Sequence, residues 1–215
     1  MNRRDTIKSL GLVAGAMMLP GVTVAEEKKK AAAKFKFCLN TSTISGQKPG
    51  LKKTIEIAAK SGYDSLELWI PEVKAYKEEG NSLATLKKYI DDNHVTVENA
   101  IGFAPWMVND DAQREAGVKQ LREEMEMMRE LGCKRIAAAP AGVKAGEPLD
   151  LFKVGERYKN ILDLGRQTGV MPQLEFWGAS PSFYHLGQVL MAAAVANDPD
   201  VHILPDIYHL FRGGS

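Results

Sequence analysis

Two acidic residues stand where an acid is costly to keep. Glu175 closes the apolar run Met171–Trp177, in Gln173-Leu174-Glu175-Phe176-Trp177-Gly178. Asp206 closes the next such run, Val201–Ile207, in Leu204-Pro205-Asp206-Ile207-Tyr208-His209. A carboxylate within an apolar strand needs a cation or hydrogen bonds to compensate its burial. At corresponding depths of adjacent strands, the two acids would converge on one hard cation such as Mg²⁺ or Mn²⁺. The same pattern also fits two salt-bridge partners at the rim of a barrel, and the spacing alone leaves both readings open.

The elements that would place these acids follow from the texture of the chain after residue 34. Short β-prone runs at Phe35–Ile44, Tyr63–Ile70, Val95–Phe103, Arg135–Ala139, Met171–Trp177 and Val201–Ile207 alternate with longer charged stretches of helical spacing. Strands separated by single helices imply right-handed βαβ units and a parallel sheet. Leu51, Ile55, Ile57, Ala58 and Ala59 form one apolar face, stopped by Gly62. Asn81-Ser82 caps a helix carrying Leu83, Leu86, Tyr89 and Ile90. Val118, Leu121, Met125, Met128 and Leu131 make a stripe ending at Gly132, its methionines expected to fill core. Asp150 caps Leu151 to Gln167, with Gly169 as the stop, and Ser180 is expected to open a fifth helix with Val189, Leu190 and Ala193 facing inward. Repeats of roughly 30 to 40 residues suit a barrel of βα units, whose reacting groups gather at the C-terminal ends of the strands. Six strands and five helices can be counted, whereas a complete eight-stranded barrel takes about 250 residues. The fold class expected is therefore α/β, a (β/α)8 TIM barrel that is incomplete here, with about six βα units and a sequence truncated relative to the full fold. A smaller open α/β fold is the alternative.

Leu-Glu-Phe-Trp-Gly at 174–178, followed by Asp-Ile-Tyr-His-Leu-Phe-Arg-Gly-Gly at 206–214, resembles the xylose-isomerase-like barrel superfamily of sugar phosphate isomerases and epimerases. Tyr63-Asp64-Ser65-Leu66-Glu67-Leu68-Trp69 is similar to the second strand of that family. The resemblance implies that Glu175 and Asp206 bind a divalent metal, Mn²⁺ or Mg²⁺ first and Co²⁺ or Zn²⁺ as further options. It implies that His209 contacts a substrate oxygen. Two further family ligands, a His from strand seven and a Glu from strand eight, have no counterpart up to Ser215. The implied activity is metal-dependent isomerisation or epimerisation of a sugar, sugar phosphate or keto-sugar through an enediolate, with the metal polarising the carbonyl as a neighbouring C–H proton leaves. Some epimerases of the superfamily use the strand-five Glu, which makes Glu175 a catalytic candidate as well, together with a second acid six residues onward. That position is Pro181 here, which leaves an inosose or keto-sugar dehydratase or lyase as the competing activity, and a catalytically dead barrel as a third reading.

Other residues fill out the candidate site. Trp69, Trp106 and Trp177 fall near strand ends, where aromatic faces stack on a sugar ring and exclude water, or else simply pack the barrel top. Glu67 is a candidate catalytic base or hydroxyl acceptor, with pairing to a Lys or Arg as the alternative. Arg212 could meet a phosphate or carboxylate, or stand solvated in a loop. His94, His185 and His202 are given no role.

Charge and cysteine usage limit the partners. A formal net charge of +1 gives no electrostatic reason to expect nucleic acid. That weighs against the abasic-site endonucleases that share this barrel type and favours a small-molecule sugar partner. Homo-oligomerisation is left open. The two cysteines, Cys38 and Cys133, suit no zinc-finger spacing and are expected to be buried free thiols. Residues 1–25 read as a twin-arginine-type signal: Arg3-Arg4 and Lys8 precede a modest apolar run, and Thr23-Val24-Ala25 offers a cleavage site. Gly11, Gly15, Pro20 and Gly21 interrupt that run, so it is too short and broken for a stable membrane anchor. Residues 26–34 read as a charged linker and 35–215 as the partial barrel, exported and expected in the periplasm.

Overall fold

The computed structural model describes residues 35–215. The signal and linker expected at 1–34 lie outside the described residues. Six short strands alternate with helices: β1 (Cys38–Asn40), β2 (Ser65–Trp69), β3 (Thr96–Ile101), β4 (Arg135–Ala138), β5 (Met171–Glu175) and β6 (Ile203–Leu204). All observed pairings are parallel, in the orders β1-β2-β3 and β4-β5-β6, which gives two three-stranded sheets of an incomplete barrel. No helix among the described residues is long and apolar enough to cross a membrane.

Seven α-helices cover the strands: α1 (Leu51–Lys60), α2 (Ile70–Glu78), α3 (Leu83–Asp92), α4 (Asp111–Glu130), α5 (Leu151–Thr168), α6 (Leu186–Ala196) and α7 (Ile207–Gly213). Local chemistry sets their ends. Ser82, Asp110 and Asp150 each accept a hydrogen bond from a first-turn amide, the arrangement that satisfies otherwise unpaired N–H groups. Gly169 ends α5 at φ +76°, in the left-handed region. Met125 and Met128 are fully buried, as core filler should be.

Four expectations need correction. The chain after Trp69 goes directly into α2, because Pro71 supplies the fixed φ of a first helical turn and Val73 and Tyr76 find burial. The fifth expected helix starts at Leu186 instead of Ser180, capped by His185 and Gln188 in a reciprocal box, and Leu190 faces solvent. Strand six is cut to Ile203–Leu204, since Pro205 offers no N–H to a ladder and Asp206 caps α7. Cys38 is exposed, while Cys133 is buried; both are free, and burial pushes the Cys133 thiol up to about 11.

Alternation within β2 divides its two sides. Leu66 and Leu68 are buried against the helices, while Glu67 and Trp69 line a cavity at the strand ends. The β2–β3 register slips: Leu66 pairs with Val97 but Glu67 pairs with Asn99. The bulge leaves Glu98 outside the pairing, where it meets Lys36 Nζ at 3.4 Å and Arg135 Nη1 at 3.2 Å. It also sets Asn99 beside Glu67.

Tyr158 of α5 ties the last two strands together. Its buried Oη lies 2.9 Å from the carbonyl oxygens of both Pro172 and His202 and accepts from His202 N at 3.2 Å. Tyr158→Phe strands these backbone groups in the core and is expected to cost about 1–3 kcal/mol. Urea denaturation measures this; a loss near zero would show that the phenol is dispensable.

Candidate metal centre

A cavity of about 740 Å³ opens at the C-terminal ends of the strands. Its lining includes Glu67, Trp69, Glu175, Trp177, Asp206 and His209. Glu175 ends β5 and pairs in register with Leu204, so Asp206 lies two residues further along the neighbouring chain. The acids are therefore not level, as the sequence suggested, but they share a face by the two-residue period of a strand. Ligand atoms of Glu175, Asp206 and His209 lie within 4.8 Å of one another.

Glu175 is 4% exposed. Burial, and then the charges of Glu67 and Asp206, raise its carboxyl to about 8 against the opposing hydrogen bond from Trp177 Nε1 to Oε2 (3.2 Å). No lysine or arginine among the described residues pairs with Glu67, Glu175 or Asp206. The rim salt-bridge reading therefore has no partner among the described residues. Asp206 Oδ1 accepts from His209 N at 3.2 Å, which fixes the carboxylate and brings His209 one turn later onto the same side. His209 Nδ1 is buried and has no hydrogen-bond partner in the described structure. Three acids without a compensating cation, beside an orphaned imidazole nitrogen, fit a divalent ion with mixed oxygen and nitrogen donors.

Glu67 is held by its neighbours. Its Oε2 accepts from Asn40 Nδ2 and its Oε1 from Asn99 Nδ2 at 2.8 Å. Asn40 Oδ1 in turn accepts from the Trp69 indole N–H at 2.9 Å. Neither asparagine was singled out in the sequence: Asn40 stands opposite Glu67 across the β1–β2 pair, and Asn99 reaches it only through the bulge.

The aromatic wall differs from the one expected. Trp69 and Trp177 flank Phe103, with ring centroids 5.2 and 5.9 Å from it. Trp106 is displaced from the site: it is 1% exposed, donates to Ala139 O at 2.9 Å and packs 6.1 Å from the Tyr158 ring. The strand ends at Ile101, so a residue five positions later no longer follows its alternation. Phe103, two residues on, keeps the alternation of Asn99 and Ile101, which is the signal that could have found it. Arg212 stands outside the cavity lining, exposed, with Nη1 donating to Tyr208 Oη at 3.2 Å.

The sequence model of the xylose isomerase-like TIM barrel matches residues 55–215. The chain belongs to that family. No curated protein is similar to it at a significant level. Among solved barrels, the IOLI protein with a bound zinc atom superposes with a TM-score of 0.74 at 22% identity, covering 84% of this chain and 66% of that one. The probable 3-DHS dehydratase AsbF of Bacillus anthracis gives 0.68 at 14%, covering 84% and 66%. D-psicose 3-epimerase in the presence of D-fructose gives 0.64 at 18%, covering 81% and 64%. The chain thus spans just under two thirds of the length of these barrels, and at such identities the likeness is one of fold.

Proposed function

We propose that this barrel is a metal-dependent isomerase or epimerase of a sugar, sugar phosphate or keto-sugar. The observation that carries the proposal is the meeting of Glu175, Asp206 and His209 in a cavity that Glu67 also lines. Glu175 and Asp206 would hold the ion, with His209 in reach of either the ion or a substrate oxygen. The zinc in the IOLI neighbour supports a metal here, and Mn²⁺, Mg²⁺, Co²⁺ and Zn²⁺ all suit the donors. When bound, such an ion supplies Lewis-acid polarisation of a carbonyl.

The chain's own residues supply the rest. Glu67, with each oxygen already receiving one amide hydrogen bond, is a fixed acceptor for a substrate hydroxyl or for the proton leaving the carbon beside the carbonyl. Trp69 and Trp177 present apolar faces to a ring and keep water from the reacting carbon. The indole N–H groups are tied to Asn40 and Glu175, so the walls move with the polar groups they flank. One observation favours a second reading, elimination by a dehydratase or lyase: Pro181 lines the cavity where some epimerases carry their second acid. The substrate is a small molecule, and the twin-arginine motif supports action in the periplasm.

Incubation with Mn²⁺ and ketoses or inososes in D2O tests the activity. Deuterium entering the carbon beside the carbonyl, read by NMR, is the expected result, and it should fall at least tenfold in Glu67→Gln. Dehydrated product would move the assignment to a lyase. A chain that binds Mn²⁺ but exchanges no proton with any of them would remove the isomerase reading.

A further inference from the structure

The geometry points to Gly178 and Gly213 as positioning residues that hold Asp206 and His209 in place against Glu175; this inference rests on the metal-site reading above. Glu175 belongs to β5, whereas Asp206 and His209 belong to the cap and first turn of α7. The β5–β6 pairing sets Leu204 beside Glu175 but ends there, so α7 itself needs a further contact to hold its direction. Side-chain burial does not do so: no residue of α7 is fully buried, and Ile207 and Phe211 are 81% and 86% exposed. Leu210 alone packs partly against the core.

Backbone contact takes over that role. A Cβ on Gly178 would lie 2.7 Å from Arg212 Cβ, 2.8 Å from Gly213 N and 2.8 Å from His209 O. A Cβ on Gly213 would fall onto the carbonyl oxygen of Tyr184 and 3.5 Å from Gly178 Cα. Neither glycine has a positive φ, so the backbone conformation does not require glycine and the close approach does. The loop they dock against is itself fixed. Trp177 N donates to Phe183 O at 3.2 Å, Ser180 N donates to Trp177 O at 2.7 Å, and Phe183 is fully buried. At the far end, Leu186 N donates to Ser215 Oγ at 2.9 Å. The loop leaving the Glu175 strand therefore serves as a platform onto which α7 is set at glycine distance. One added methyl group must push α7 outward, and Asp206 and His209 move with it.

The test is Mn²⁺ and Co²⁺ binding to the full chain, with Gly178→Ala and Gly213→Ala beside the wild type. Both variants are expected to unfold cooperatively without metal, close to the wild-type temperature. Their Mn²⁺ Kd should rise at least tenfold, and the Co²⁺ visible bands should shift, as a change in ligand geometry requires. A purely structural role would lower the metal-free melting temperature and leave those bands alone. If Gly213→Ala does not fold, Gly178→Ala decides the matter by the same two readouts. Wild-type affinity and spectrum in a folded Gly178→Ala overturns the positioning role while leaving the metal site standing. Failure of the wild type to bind either ion overturns the metal reading, and this inference with it.

Discussion

Glu175→Gln is expected to make the metal-free chain more stable at pH 8.5 while lowering its Mn²⁺ affinity at least a hundredfold. The two effects have opposite signs because one buried carboxyl causes both. In the folded chain, burial raises Glu175 from an ordinary 4.5 to about 8. A raised acid contributes stability that is fully present below its unfolded pKa and is lost as pH climbs through the folded value. The wild type should therefore weaken between about pH 4.5 and 8, by about 1.4 kcal/mol for each unit across which the two states differ in protonation. Glutamine keeps the shape and the neutral form and has nothing to titrate. Urea denaturation at pH 5 and 8.5 should show the wild type losing stability and the variant keeping it. Parallel losses would mean that Glu175 is not the group that titrates. Stability given up in return for a binding site is the usual signature of a functional residue in a core.

The second large effect lies away from the cavity. Glu124 of α4 is 1% exposed and receives Lys74 Nζ at 2.7 Å and Gln120 Nε2 at 2.8 Å, while its Oε2 has no partner. Lys74 of α2 is the one cation paired with it among the described residues, and removing one member of such a pair leaves an uncompensated charge in the interior. Lys74→Met is expected to cost about 2–3 kcal/mol, below the range for a fully buried pair because the lysine is partly exposed. Adding Glu124→Leu should recover most of that loss, since both charges are then gone. The double-variant cycle measures it, and a single Lys74→Met as stable as the wild type would contradict the account.

Periodicity carried most of the architecture. Alternating β-prone runs and amphipathic stretches placed all six strands, and the caps at Ser82 and Asp150 and the stop at Gly169 set helix ends to within a residue or two. Where tertiary contact decides, the sequence was silent. Helix α2 has weak amphipathic character and is held by burial of Val73 and Tyr76 against neighbours. Strand six shrank because Pro205 and Asp206 obey loop chemistry within an otherwise apolar run. In the site, Glu175 and Asp206 could be read because acids ending apolar strands are costly wherever they occur, whereas His209 came only through the family resemblance. The Asn40–Glu67–Asn99 arrangement could not, since it depends on a one-residue slip at Glu98 that no local pattern announces. Trp106 lies off the site because strand alternation brings Phe103, and not a residue beyond the strand, to the cavity side.

The central claim is that Glu175, Asp206 and His209 surround one divalent-cation site. Calorimetric titration of Mn²⁺ into the metal-free chain tests it most directly. Saturation at one ion per chain is the expected result, with binding lost in both Glu175→Gln and Asp206→Asn. No saturable binding by the wild type, or wild-type affinity in both variants, would contradict it.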